Sequence, residues 1–145
     1  MIDCIKYRGR ELKNNFSIGE FRYIEPHPDL LGMLNLVREE LRHPIYTVNG
    51  GGTARSIQEH VIIYQNLFGR DWLKNIPWNS RHLPKHGIPE ARAADIYSPY
   101  CTFEQLKDII YKVQPSDLNI GLGIGKTKLH LDIDRPNGDR EWYYA

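Results

Sequence analysis

TKLHLDID, residues 127–134, alternates without a break. Leu129, Leu131 and Ile133 fall on one side; Lys128, His130, Asp132 and Asp134 fall on the other, the period of a half-buried strand. Its apolar side must be covered, and its polar side carries a histidine and two carboxylates. The flanking sequence supplies neighbours. Leu118–Ile124 alternates apolar residues with Gly and Asn, a strand that something approaches closely, and Gly125-Lys126 turns it into TKLHLDID. Pro136-Asn137-Gly138 makes a tight turn into a last strand, Asp139–Tyr144. Ala91–Tyr97 is small, then apolar, and reads as a short buried strand. Asp95 sits inside it, and an unpaired buried charge is expensive, so it needs a partner.

The rest of the chain supplies helices. Residues 1–15 are charged and weakly periodic, a short strand or an extended arm. Phe16 and Phe21 anchor the next segment to the core. Pro28-Asp29 opens a helix, since proline suits a first turn and an acid there complements the helix dipole. Leu30, Leu34, Val37 and Leu41 give it one apolar face. Pro44–Val48 is β-branched and aromatic, a strand, broken by Asn49-Gly50-Gly51-Gly52. Ala54, Ile57, Val61, Tyr64 and Phe68 mark a second helix closed by Gly69, with His60 expected on its surface. Asp71–Trp78, with two Trp and a Pro, reads as a packed loop, and Ser80–Pro89 as loop again. Thr102-Phe103-Glu104-Gln105 is a capping box, and Phe103, Leu106, Ile110 and Val113 continue a third helix that Pro115 ends.

Composition narrows the class. A chain of 145 residues with 41% apolar and 26% charged residues is expected to form one domain, 1–145, with a sizeable core. A net charge of +1 gives no basic field of the kind that nucleic acid selects. No stretch is apolar enough to span a membrane. The start, MIDCIKYRGRELKNN, has neither the apolar run nor the cleavage site of a secretory signal. Cys4 and Cys101 have no CxxC spacing and are expected as two free thiols, although one disulfide is possible. GxGxxG is missing and no Lys-Ser/Thr follows the glycines, so no phosphate loop is expected.

Two histidines and a carboxylate from separate segments suit an open zinc site, three protein ligands leaving a fourth position for water or substrate. Iron, cobalt and manganese are compatible with the same donors. His130 comes from TKLHLDID, and Asp95 gains in a metal the partner it requires. NSRHLPKHGIPEARAADI, residues 79–96, contributes His82 or His86.

This pattern resembles the zinc D-Ala-D-Ala metallopeptidase family, a superfamily that includes L-alanyl-D-glutamate endolysins, vancomycin-resistance dipeptidases and the zinc-binding domain of hedgehog proteins. Its signature, Ser-x-His-x-x-Gly-x-Ala-x-Asp, is matched by Ser80, His82, Ala93 and Asp95. The ending GLGIGKTKLHLDID with Arg140-Glu141-Trp142 is similar to the branch that closes on a Gly-rich strand, His-x-Asp and Arg-x-Trp. Phe16-Ser17, Glu20-Phe21 and the Arg55 region extend the likeness from about Phe16 to Trp142. Two departures stand out. His82 and Asp95 lie six residues further apart than in the family, and Lys85 stands where Gly is expected. A loop insertion after His82 accounts for both, and the Ser match makes His82 the ligand in place of His86.

The resemblance implies an α+β fold: a small, mainly antiparallel sheet with helices on one face and a zinc cleft on the other. It implies Zn2+ held by His82, Asp95 and His130, and hydrolysis of a peptide bond in bacterial peptidoglycan. The partners would be stem peptides: D-Ala-D-Ala ends, D-Ala-diaminopimelate cross-links or L-Ala-D-Glu stems. An enzyme made in the cytoplasm and released like an endolysin, or carried on a phage particle, would fit. Many relatives place a general base, Glu, three residues before the second His, where this chain has Thr127. Asp132 is either that base or a carboxylate that holds a ligand in place; Asp134 and Glu90 are reserves. Arg55 is either the family's active-site arginine, binding an oxyanion or a carboxylate, or a surface residue in the first turn of a helix. The missing Glu leaves a second reading open, a non-enzymatic metal-binding or structural module descended from the family.

Overall fold

The computed structural model describes residues 3–22, 24–48, 55–83 and 90–144. Among these, two sheets form. The larger has β3 (Tyr46–Thr47), β4 (Ala93–Tyr97), β6 (Leu129–Ile133), β5 (Ile120–Ile124) and β7 (Arg140–Tyr143), in that spatial order. TKLHLDID therefore lies at the centre, antiparallel to both neighbours. Leu129, Leu131 and Ile133 join one core with Ala94, Ile96, Ile120, Leu122 and Ile124.

Two helices cover that face. Helix α1 (Pro28–Leu41) contributes Leu30, Met33, Leu34 and Val37, all fully buried. Its N-cap is His27, whose side chain accepts from the Asp29 N–H. Helix α4 (Phe103–Val113) starts at the expected capping box on Thr102 and Gln105 and buries Leu106 and Ile110. Before α1, Phe16 and Phe21 pack edge to face, 6.3 Å between centroids, in the same core.

The structure adds to two of the expectations and corrects two others. The short strand expected at the start is half of a hairpin, β1 (Cys4–Tyr7) with β2 (Arg10–Lys13). Its two-residue turn puts both Arg8 and Gly9 at positive φ, 53° and 77°, the twist that suits a tight hairpin. Strand β7 does not pair back onto β6 after the Pro136–Gly138 turn; it crosses to the far side of β5 and runs parallel to it, so the sheet is mixed. Helix α2 (Ile57–Phe68) leaves the helical layer. Ile57 and Phe68 are exposed and His60 is its buried side chain, because the helix leans on the polar side of the molecule. Finally, Asp71–Trp78 is not a packed loop: after a 3-10 turn (Gly69–Asp71) it holds a short helix α3 (Trp72–Asn75), with Ile76 buried and Trp78 exposed. Asn49–Gly52 and most of Ser80–Pro89 lie outside the described residues. No helix among the described residues is long and apolar enough to cross a membrane.

Candidate metal centre

The polar face of the sheet is built by register. Asp95 on β4 stands directly opposite His130 on β6, and Ala93 opposite Asp132. On the other side, Gly123 faces His130 and Gly121 faces Asp132. Small residues thus flank the large ones. A Cβ on Gly121 would lie 2.5 Å from Asp132 Oδ1, and one on Gly123 would lie 2.6 Å from the Trp142 ring. The glycines of β5 are where the site itself approaches the backbone.

His82 reaches this face from a turn. Ser80 C=O accepts from the Leu83 N–H, and Ser80 Oγ accepts from the His82 N–H at 3.3 Å. Ser80 therefore shapes the turn: its hydroxyl accepts from the His82 backbone N–H. The His82 carbonyl accepts the Arg55 N–H at 2.8 Å, which ties the turn to the head of α2.

His82, Asp95 and His130 converge so that one ligand atom from each lies within 4.8 Å of the others, and the set can hold a metal ion. His82 Nε2 is 3.5 Å and His130 Nδ1 3.0 Å from Asp95 Oδ1. Lys128 Nζ donates to Asp95 Oδ2 at 3.0 Å. The donor chemistry fits a divalent ion: two imidazole nitrogens and a carboxylate oxygen close to one another, with His82 and Asp95 buried and His130 partly so. Burial pushes His82 down to about 4, so it presents a lone pair at neutral pH. Burial opposes ionisation of Asp95, but hydrogen bonds from His130 and His82 outweigh it and hold the acid well below the usual carboxylate range.

Behind His130 stands Asp132, fully buried. His130 Nε2 lies 2.7 Å from Asp132 Oδ2, and Arg135 Nε donates to Asp132 Oδ1 at 2.7 Å while its Nη2 donates to Oδ2. Asp134 has φ 73°, and the chain bends there before Arg135 reaches back to Asp132. Burial works against both charges here. The Asp132 and Asp95 hydrogen bonds nonetheless hold His130 above its ordinary range, and His130 with Arg135 holds Asp132 below its own.

Above the cluster is a cleft of about 440 Å³. Arg55 lines it, buried, as do Arg81, Lys128, Arg135, Arg140 and the ring of Trp142. Ile63, Tyr64 and Leu67 of α2 form an apolar wall. Arg140 and Arg135 lie over Trp142, at 5.1 and 5.5 Å from the ring centroid.

All five residues expected at the site, His82, Asp95, His130, Asp132 and Arg55, line this one cleft. The reserves Asp134 and Glu90 do not; Asp134 accepts from Arg92 at 3.1 Å. His86 lies outside the described residues. His60, expected on the surface, is buried with its Nδ1 3.1 Å from Arg55 Nη1, since two polar partners reach it there. Sequence reasoning passed over Arg135, Lys128 and Arg81. Arg135 follows a strand end at a spacing with no meaning until Asp134 bends the chain. Comparison with protein-family models, with curated proteins and with solved structures finds no match.

Proposed function

We propose that the chain is a zinc metallopeptidase that hydrolyses a peptide bond of bacterial peptidoglycan, on a hedgehog/DD-peptidase-like domain spanning residues 1–145. One observation carries the reading: His82, Asp95 and His130 meet at the floor of a cleft with a buried carboxylate behind one ligand and a buried arginine beside it. His82, Asp95 and His130 would hold the ion. Bound there, zinc supplies carbonyl polarisation and a water of lowered pKa.

The other residues have roles of their own. Asp132, with both oxygens engaged, fits the orienting role better than that of base: it accepts a hydrogen bond from His130 Nε2–H and leaves Nδ1 as the ligand atom. Arg55 meets the oxyanion or a substrate carboxylate. Arg55, Arg81, Lys128, Arg135 and Arg140 around the cleft outnumber Asp95 and Asp132. That excess favours a peptide with free carboxylates, as stem peptides have, held by charge-assisted hydrogen bonds. The wall of Ile63, Tyr64 and Leu67 suits methyl side chains such as alanine's.

A second reading has its own support. Among the described residues, both carboxylates that line the cleft are already engaged, and Thr127 replaces the usual Glu. A metal-binding module without turnover would look like this. The test is to incubate the zinc-loaded protein with D-Ala-D-Ala, cross-linked and L-Ala-D-Glu muropeptides and identify products by mass. The peptidase reading expects about one zinc per chain, loss of zinc in His82→Ala, and cleavage that a chelator abolishes. Bound zinc with every muropeptide intact supports a metal-binding module; protein that takes up no zinc overturns the peptidase and favours a structural module.

A further inference from the structure

We propose that His60 is a positioning residue for Arg55: its neutral ring fixes the guanidinium that faces the cleft. The inference rests on the peptidase reading for what Arg55 then does, and on geometry for the positioning itself. His60 is fully buried on α2 and is not a member of the metal cluster. Its Nε2 lies 2.9 Å from the Pro77 carbonyl oxygen, which can only accept, so Nε2 carries the proton. Its Nδ1 lies 3.1 Å from Arg55 Nη1, which can only donate, so Nδ1 carries the lone pair. Both contacts require the same neutral tautomer, and no other protonation state satisfies both. Tyr64 and Trp78 pack on the ring, with centroids at 4.9 and 6.3 Å.

A guanidinium is a rigid planar fork, so holding one edge sets its plane. The Arg55 backbone is held too, by the His82 carbonyl. The line from Pro77 through His60 to Arg55 therefore joins the segment that leads to His82 to the Arg55 side chain.

The test uses the zinc-loaded protein with His60→Gln, His60→Leu, Arg55→Ala and the double variant His60→Leu/Arg55→Ala. Gln offers an oxygen to Arg55 and an N–H to Pro77; Leu offers neither. Nitrogen-15 NMR should show His60 as the neutral Nε2–H tautomer. The Arg55 guanidinium signals should be sharp in wild type and His60→Gln and broadened in His60→Leu. With zinc retained, kcat on a cleaved muropeptide should fall by up to about a hundredfold in His60→Leu, the scale of a misplaced catalytic contact. It should recover most of that in His60→Gln. In the Arg55→Ala background, His60→Leu should cost nothing further. The Nδ1–H tautomer, or sharp Arg55 signals in His60→Leu, overturns the proposal, as do independent, additive effects in the double variant. If His60→Leu does not fold, the tautomer and the His60→Gln signals decide. If the NMR result holds while wild type cleaves no muropeptide, the positioning stands and the peptidase reading is what fails.

Discussion

Replacing Asp132 by Asn separates two roles that one carboxylate can play. The native oxygens serve three donors: His130 Nε2 at 2.7 Å, Arg135 Nε at 2.7 Å and Arg135 Nη2. Asparagine keeps one acceptor oxygen and turns the other into an N–H donor. If the oxygen stays on Arg135, the new amide faces His130 Nε2, donor against donor. His130 then relieves the clash by keeping its proton on Nδ1, the atom that faces Asp95 Oδ1 at 3.0 Å. That proton must leave before a metal can bind. If the oxygen stays on His130 instead, Arg135 loses part of its two-pronged contact inside the protein. Loss of a partner behind a ligating histidine lowers metal affinity by about 10–100-fold, or roughly 1.4–2.8 kcal/mol. Zinc affinity, read by competition with a chromophoric chelator, should fall by that amount, and turnover at saturating zinc should recover much of its loss. The reasoning is refuted if zinc affinity is unchanged and turnover at saturating zinc falls by about a hundredfold, the signature of a lost general base.

Other perturbations probe the surroundings. Gly121→Ala puts a Cβ 2.5 Å from Asp132 Oδ1 and 2.7 Å from Arg135 Nε, so it should weaken zinc binding as Asp132→Asn does and cost about 1–3 kcal/mol in thermal or urea unfolding. Gly9→Ala, at φ 77° with no atom within 4 Å, should cost about 1 kcal/mol of backbone strain and leave zinc affinity alone. Burial raises Tyr7, Tyr111 and Tyr144 to about 12, against about 10 in the unfolded chain. The folded state thus keeps protons that the unfolded state releases: the contribution is whole below pH 10 and is lost as pH rises from about 10 to about 12. The melting temperature should fall across that window, and less steeply in Tyr7→Phe; an equal slope in that variant would contradict the assignment of Tyr7.

Much of the fold was legible because it depends on local periodicity. The alternation in TKLHLDID named the side of β6 that faces the apolar core, and the spacing of Leu30, Leu34 and Val37 did the same for α1. Thr102 and Gln105 announced the start of α4 through bonds within one turn. Periodicity misled at α2, where its apolar residues suggested a core face and the chain instead buries His60. Hydrophobic spacing says that a helix has a face; it does not say what the face meets. The path of β7 was equally hidden, since a short turn after β6 is compatible with a hairpin and with a crossing to the far edge of the sheet.

The sequence by itself determined which donors were available: a histidine on a strand face, an acid stranded among small apolar residues, and a histidine beside a serine in a loop. It also determined that β5 must admit something close to its backbone, because Gly121 and Gly123 have no side chain to fill the space. Only the tertiary structure decided what each group meets. Strand register put Asp95 beside His130. The bend at Asp134 precedes the return of Arg135 to Asp132, and the lean of α2 brought His60 to Arg55. Residues far apart in the chain carry no local mark of their partner, since a polar contact depends on distance and direction in space and these exist only once the chain has folded.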